Sequence, residues 1–253
     1  VIAADFPEGM RPCDNHEVSQ LNELKVDLEA LTFVAHYRMN GNIVMCEQMP
    51  ILGGWAGGLE ETTIVGTATH LNSPVLVGAD WHLDGPTHVR WGITTARETL
   101  LIAGHINRAI EKHTHLLTGN QYYTAAGPCT EMCLLEAAGQ AVTDTASGRE
   151  IMSGCASAKG TVLDRTTPIE ARMMAYAARA VAGMETERVN HLLDKLVTHY
   201  EGTGPKRNFN TAPIGKTFQE CFDVVTLKPT AEHLQVLGQA MKTMEQIGFE
   251  FKL

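Results

Sequence analysis

Along the chain, short runs of consecutive apolar residues alternate with longer stretches in which apolar positions recur at helical spacing. Gly, Pro and polar residues punctuate the changes. The runs at 43–46, 74–79, 120–124 and 150–153, with a weaker one at 1–5, predict five strands. They are near-continuous rather than alternating, which fits a parallel sheet buried under helices on its faces. Helix starts are marked at Thr95-x-x-Glu98 and Thr167-Pro168-x-Glu170. In each, a Thr hydroxyl and a Glu carboxylate can satisfy backbone N–H groups left over at the helix end. Pro168 falls at the first helical position, where its missing N–H costs nothing. After Thr230, the residues Leu234, Leu237, Met241, Met244 and Ile247 share one face of a C-terminal helix. The stretch 201–215 is dense in chain breakers and marks a loop or boundary before a small C-terminal cap.

Five βα units build either an open doubly wound sheet or part of an eight-stranded barrel, and the pattern alone does not choose between them. In both, loops at the C-terminal ends of the strands converge on one crevice, so polar residues there are the candidates for chemistry.

Composition narrows the function classes. The 253 residues carry 20 Lys and Arg against 29 Asp and Glu, a formal net charge of −9, with no basic run, which argues against a nucleic-acid scaffold. At 44% hydrophobic and 19% charged, the chain has the material for a sizeable core. No apolar run approaches the ~20 residues of a membrane helix. Residues 1–6 do not read as a secretory signal. Six cysteines are too few for a disulfide scaffold at this length, and with 11 methionines they point to a reduced, cytoplasmic setting. The chain begins with Val, which suggests a piece of a longer polypeptide.

Several segments carry candidate chemistry. Glu47 lies just past a strand end, ahead of the glycine-rich 53–58. On a partly desolvated floor its pKa would rise, suiting it to move a proton near neutral pH. A loop carboxylate that caps the next helix explains it equally well. Phosphate binding by these glycines is disfavoured by Glu60 and Glu61. The densest polar and aromatic cluster, 80–92, holds His82 and His88 without a familiar metal-ligand spacing, so a substrate or partner loop is expected there. Gln121 and Tyr123, two apart on a strand, point to one face, where unpaired they would cost about 1–3 kcal/mol each. Cys129 and Cys133 are four apart at a helix start, able to react or bind a soft metal but also plausible as small buried residues. His113 and His115 are expected in solvent. The stretch 214–217 lacks the first glycine of a phosphate loop, since position 210 is Asn.

Three segments together, HEVSQLNELK at 16–25, WHLDGP at 81–86 and GPCTEMCLLE at 127–136, resemble the monomethylamine:corrinoid methyltransferases of methylamine-using methanogens and some bacteria. EETTIV at 60–65, GNQYY at 119–123, DTASGRE at 144–150 and GKTFQEC at 215–221 extend the likeness over nearly the whole chain. The resemblance implies an α/β fold, a (β/α)8 TIM barrel of which this single domain, 1–253, supplies roughly the last five units, a loop and cap over 201–253, and a C-terminal helix. It implies a homo-oligomeric enzyme of methylamine-dependent methanogenesis that moves the methyl group of monomethylamine to the Co(I) corrinoid of a separate corrinoid protein and releases ammonia. The family's pyrrolysine, an electrophilic imine, is expected upstream of Val1 and is encoded by an amber codon. Around it the matching motifs place Glu47 as the carboxylate handling protons, Gln121 and Tyr123 as orienting groups, and Glu17 as a second acid. Two departures stand out: Cys46 replaces the family's Asp, with a bearing on the charge around Glu47, and the loop at 202–212 is longer. A chain lacking the first barrel strands is expected to be inactive or aggregation-prone alone. Two rivals are a non-catalytic module that binds the corrinoid protein or a sister subunit, and a corrinoid methyltransferase using a metal held by Cys129, Cys133 or His82.

Overall fold

A computed structural model describes residues 11, 13–20, 25, 27–201 and 207–251. The strand expected at 1–5, residues 21–24 of the first family segment and residues 202–206 of the breaker-rich loop lie outside the described residues.

Five parallel strands carry the molecule: β1 (Asn15–Ser19), β2 (Ile43–Glu47), β4 (Trp81–Asp84), β6 (Leu117–Tyr123) and β7 (Ile151–Ala156). Helices α1 (Leu28–Met39), α2 (Leu59–Leu76), α3 (Arg97–His113) and α4 (Glu131–Ser147) make the crossovers between them. Two short strands, β3 (Ile51–Leu52) and β5 (Thr87–His88), pair with each other beyond the ends of β2 and β4. The order β1-β2-β4-β6-β7 follows the chain without reversal. A doubly wound sheet reverses at a switch point, whereas a barrel wall adds each strand beside the last. The fold is therefore α/β with a singly wound, curled parallel sheet, and the choice left open by the pattern falls on the barrel side.

The C-terminal third forms a second helical layer. Helices α5 (Pro168–Val181), α6 (Thr186–Glu201) and α8 (Ala231–Ile247) pack around α4, with Leu134, Met173, Leu196 and Met244 fully buried between them. A short helix α7 (Phe218–Cys221) and the hairpin β8 (Phe222–Asp223) and β9 (Lys228–Pro229) lead into α8. Trp91 and Phe209 join the loops to this core, with ring centroids 5.0 Å apart. Among the described residues, no helix is long and apolar enough to cross a membrane.

The cap pattern at Thr167 forms as expected: Glu170 Oε2 accepts from Thr167 N–H at 2.6 Å, and Pro168 opens the helix. Thr230 caps α8, which buries Leu237, Met244 and Ile247 but leaves Leu234 exposed. The pattern at Thr95 does not cap a helix. Helix α3 begins one residue later, with Ala96 at its N-cap, because Thr95 Oγ1 donates to Glu136 at 2.6 Å and Glu98 pairs with Arg207. The run 74–79 is not a strand either. It is the end of α2 and the turn after it, with Val75 exposed and only Val77 and Ala79 buried. The strand is the polar WHLD of β4 instead, and β1 also escapes the apolar-run criterion.

The reason lies in what the strands bury. Alternate residues point to opposite faces, and the register aligns Glu17 with Met45, Glu47 with Leu83, and Leu83 with Gly119. One face therefore carries Glu17, Met45, Glu47, Leu83, Gln121 and Tyr123. The other carries Val18, Cys46, His82, Asp84, Asn120 and Tyr122, all buried against the helices. On this outer face Asp84 accepts from His70 Nε2 at 2.9 Å and pairs with Arg149 at 3.0 Å. Asp144 accepts from Asn120 at 2.8 Å and from the Tyr122 hydroxyl at 2.8 Å. Arg149 also donates to the carbonyl of Gly119 at 2.6 Å. Helices thus cover one face of the sheet, not both as the sequence pattern predicts, and the inner face stays partly open among the described residues.

Candidate functional site

The inner face collects the four residues singled out from the sequence. Glu47 is the last residue of β2 rather than a loop residue beyond it, and the sheet runs on past it: Gln20 N–H donates to the Glu47 carbonyl at 2.8 Å and Gln48 N–H to that of Leu83 at 3.1 Å. It caps no helix, because Glu61 occupies that role at the start of α2. Glu47 is half-buried beside the buried Leu83 and Met45, and Glu17, exposed on the neighbouring strand, stands close enough to act on its carboxyl. Burial first, then the neighbouring Glu17, push the Glu47 carboxyl up to about 8. With its carboxyl raised that far, Glu47 keeps its proton at neutral pH.

Gln121 and Tyr123 stand on β6, across β4 from the carboxylates, and both are half-buried. The Tyr123 hydroxyl is raised above its ordinary range by burial and then by the charges of Glu47 and Glu17, while a hydrogen bond from Gln121 works the other way. Three strands thus bring four polar side chains within electrostatic reach of one another. Behind Glu47, Cys46 points to the outer face and donates to Gln20 Oε1 at 3.8 Å. Burial and both carboxylates push its thiol up to about 12. It is neutral, so it contributes no charge to Glu47.

Several positioning residues have no signature in the sequence. Thr94 clamps the end of β6, exchanging backbone hydrogen bonds with Tyr123 through its N–H at 3.0 Å and its Oγ1 at 2.9 Å. Gln140 donates to the Gln121 carbonyl at 3.1 Å and accepts from Thr94 Oγ1 at 2.6 Å. Glu136, fully buried, accepts from the N–H groups of Ala125 at 2.8 Å and Ala126 at 2.9 Å, and so holds the loop that leaves β6. Burial raises its carboxyl to about 7 against these bonds. Gly160, at φ +65, lies under the Tyr123 ring, where a Cβ would come within 2.8 Å of Cε1. A left-handed backbone and a close ring together require glycine there.

Other sequence candidates resolve structurally. Within 80–92, Asp80 accepts from Val44 N–H at 2.8 Å and pairs with Arg38 at 3.0 Å, Trp81 bonds Asn15 at 3.0 Å, and His88 stacks on Trp91. The hydrogen-bonded bracing expected of this segment is present, but Trp81–Asp84 is strand β4 rather than loop. His82 is buried on the outer face against His70, and Cys133 faces Thr124 and Ser157, so neither joins Cys129 in a ligand set. Cys129 instead meets Cys221 and His233. His113 and His115 are exposed as expected, and Thr217 caps α7. A groove of about 480 Å³ lies among α3, α4 and α6, away from the inner face.

Comparison with known proteins follows the same lines. The family model described as monomethylamine methyltransferase MtmB matches residues 1–249. MtmB1 of Methanosarcina barkeri is 59% identical over 250 residues, covering 99% of this chain and 54% of its own length. MtmB of Methanosarcina mazei is also 59% identical, with the same coverage. The crystal structure of the Methanosarcina barkeri monomethylamine methyltransferase superposes with a TM-score of 0.94 at 59% identity over 99% of this chain and 54% of that one. A crystal structure of the hydroxylamine complex of MtmB matches equally well. The chain spans about half the length of the relatives it matches.

Proposed function

Because the chain belongs to the monomethylamine methyltransferase family MtmB, we propose that it forms the catalytic wall of an enzyme that moves the methyl group of monomethylamine to the Co(I) corrinoid of a separate protein and releases ammonia. The observation that carries this reading is the register that puts Glu17 and Glu47 on the same inner face as Gln121 and Tyr123. Two carboxyl groups side by side are complementary to a small ammonium cation, and the phenol and amide beside them supply directional hydrogen bonds. One of the matching structures is a hydroxylamine complex, so a relative takes up a small nitrogen compound.

In this reading, pyrrolysine from the rest of the polypeptide supplies the electrophile that captures the amine, and the corrinoid supplies the methyl acceptor. Glu47 holds a proton at a carboxyl oxygen at neutral pH and gives it to the nitrogen as the bond to the methyl group breaks. The charge of Glu17 beside it keeps that proton on Glu47 until the nitrogen takes it, and favours its return from solvent afterwards. Gln121 and Tyr123 orient the nitrogen, and Met45 and Leu83 form the apolar floor that partly desolvates Glu47. The strands found here are read as part of a (β/α)8 barrel closed by strands outside this chain, with 1–253 as a single domain, in a cytoplasmic homo-oligomer.

The test is methyl transfer from monomethylamine to reduced corrinoid protein by the complete polypeptide. Wild-type turnover with loss in Glu47→Gln supports the reading. Full turnover in that variant, or none in the complete wild-type polypeptide, overturns it.

A further inference from the structure

Two thiols and an imidazole that lie far apart in sequence meet at the C-terminal cap. One sulfur each from Cys129 and Cys221 and one ring nitrogen of His233 lie within 4.8 Å of one another. Their supports differ. Cys129 sits at φ +61 on the loop between β6 and α4, Cys221 ends α7, and His233 lies in the first turn of α8. The loop is pinned to the cap: Gly127 N–H donates to the Pro213 carbonyl and Lys216 N–H to that of Pro128, each at 2.9 Å. The backbones touch so closely there that a Cβ on Gly127 would fall 1.7 Å from the Ile214 carbonyl oxygen.

One donor in this cluster is idle. His233 is 0% exposed, its Nε2 lies 2.9 Å from Thr167 Oγ1, and its Nδ1 has no partner. Thr167 Oγ1 already accepts from Ile169 N–H at 3.2 Å, so its position is fixed by the start of α5. A buried imidazole nitrogen without a partner is costly, and it asks for an occupant. Glu170 adds a second buried atom without a partner, Oε1, while its Oε2 caps α5.

We propose that Cys129, Cys221 and His233 bind one zinc ion, with Nδ1 as the imidazole ligand and Nε2–H donating to Thr167, so that the metal staples the C-terminal cap to the loop leaving β6. Two sulfurs and a nitrogen are a zinc donor set. Bonds of about 2.3 Å to sulfur and 2.0 Å to nitrogen at tetrahedral angles give donor-to-donor edges of about 3.5–3.8 Å. The two sulfurs and a ring nitrogen of His233, within 4.8 Å of one another, need only a modest contraction to reach those edges. Thr167 plays the part of the outer hydrogen-bond partner that fixes a ligating imidazole's tautomer. The thiols lose their protons to solvent as the two Zn–S bonds form, and no electron is transferred. The fourth position falls to water or to Glu170, whose charge acts on both thiols. None of the inner-face residues takes part, so the centre is structural and independent of the methyl-transfer reading.

The test is the metal content of the full chain, purified anaerobically from zinc-supplemented cells, with cobalt substitution as the geometric probe. The expected result is one zinc per chain and a cobalt spectrum with thiolate charge-transfer and tetrahedral d–d bands. Cys129→Ser and Cys221→Ser should each weaken binding at least about 100-fold, whereas Cys133→Ser keeps it. In the wild type, zinc should also shield Cys129 and Cys221, but not exposed Cys13, from alkylation, a readout that needs no variant to fold. Wild-type chain without stoichiometric metal, metal unchanged in both serine variants, or a Cys129–Cys221 disulfide in the anaerobic protein would each overturn the proposal.

Discussion

The two faces of one sheet handle polar groups in opposite ways. On the outer face, charges of opposite sign are interleaved: Arg149 lies between Asp84 and Asp144, and His70 and Tyr122 take further bonds. Burial alone would raise the Asp84 carboxyl, but Arg149 and His70 more than offset it and hold it below its ordinary range. On the inner face, two acidic side chains stand side by side, and burial with the charge of Glu17 pushes the Glu47 carboxyl up to about 8, into the range where enzymes use it. The first arrangement fixes strands to helices. The second gives up stability for a poised proton, so residues one position apart on the same strand have different purposes.

Removing Arg149 is the harshest test of that contrast. Arg149→Leu strands two buried carboxylates and should lower stability by about 3–5 kcal/mol, read as a large drop in the urea midpoint. A midpoint near wild type would mean that the outer network is ornamental. Next comes Glu47→Gln, for which the complete enzyme should lose about 10²- to 10⁴-fold in turnover while the melting temperature holds or rises. If stability falls as far as for Arg149, the two faces are not functionally distinct. Gly160→Ala pushes a methyl against the Tyr123 ring, and by misplacing one orienting group should cost about 10²-fold in turnover, with a small stability loss from the left-handed backbone. The gentlest change is Glu17→Gln, read in a pH profile. The Glu47 proton is present below about 8, so wild-type turnover should fall as pH rises through that value. Without Glu17 the alkaline limb should move to lower pH, yet stop above the ordinary carboxylate range because burial, the largest cause, remains. An unmoved limb would show that Glu17 does not raise the Glu47 carboxyl.

How legible this was in the sequence differs by face as well. Strands β2, β6 and β7 could be read because most of their residues are apolar or small. Trp81, His82, Leu83 and Asp84 escaped as a strand because the outer network satisfies His82's neighbour Asp84 through Arg149, a residue far along the chain, and no local pattern reports that. Conversely, the apolar run ending in Val77 imitates a strand, although Val75 and Leu76 face solvent. On the inner face, period-2 spacing put Gln121 and Tyr123 together. The partnership of Glu17 with Glu47 depends on the pairing of β1 with β2, and its recognition rested on the family motifs. Thr94, Gln140, Glu136 and Gly160 act through hydrogen bonds and close approach across the fold, which spacing along the chain does not encode. Cys129 was noticed beside Cys133, four residues away, but the cap supplies its actual neighbours.

The unreversed strand order has a consequence for how the protein is made. Each parallel neighbour is the next large strand along the chain, reached by one crossover. A growing polypeptide can therefore lay every new strand on an edge already formed, without waiting for a partner synthesised much later. Helix α4 is the exception: it must hold its place at β6 and β7 until α5, α6 and α8 emerge to cover its far side. The interval between those events is when the nascent chain exposes most apolar surface, and chaperone engagement should concentrate there.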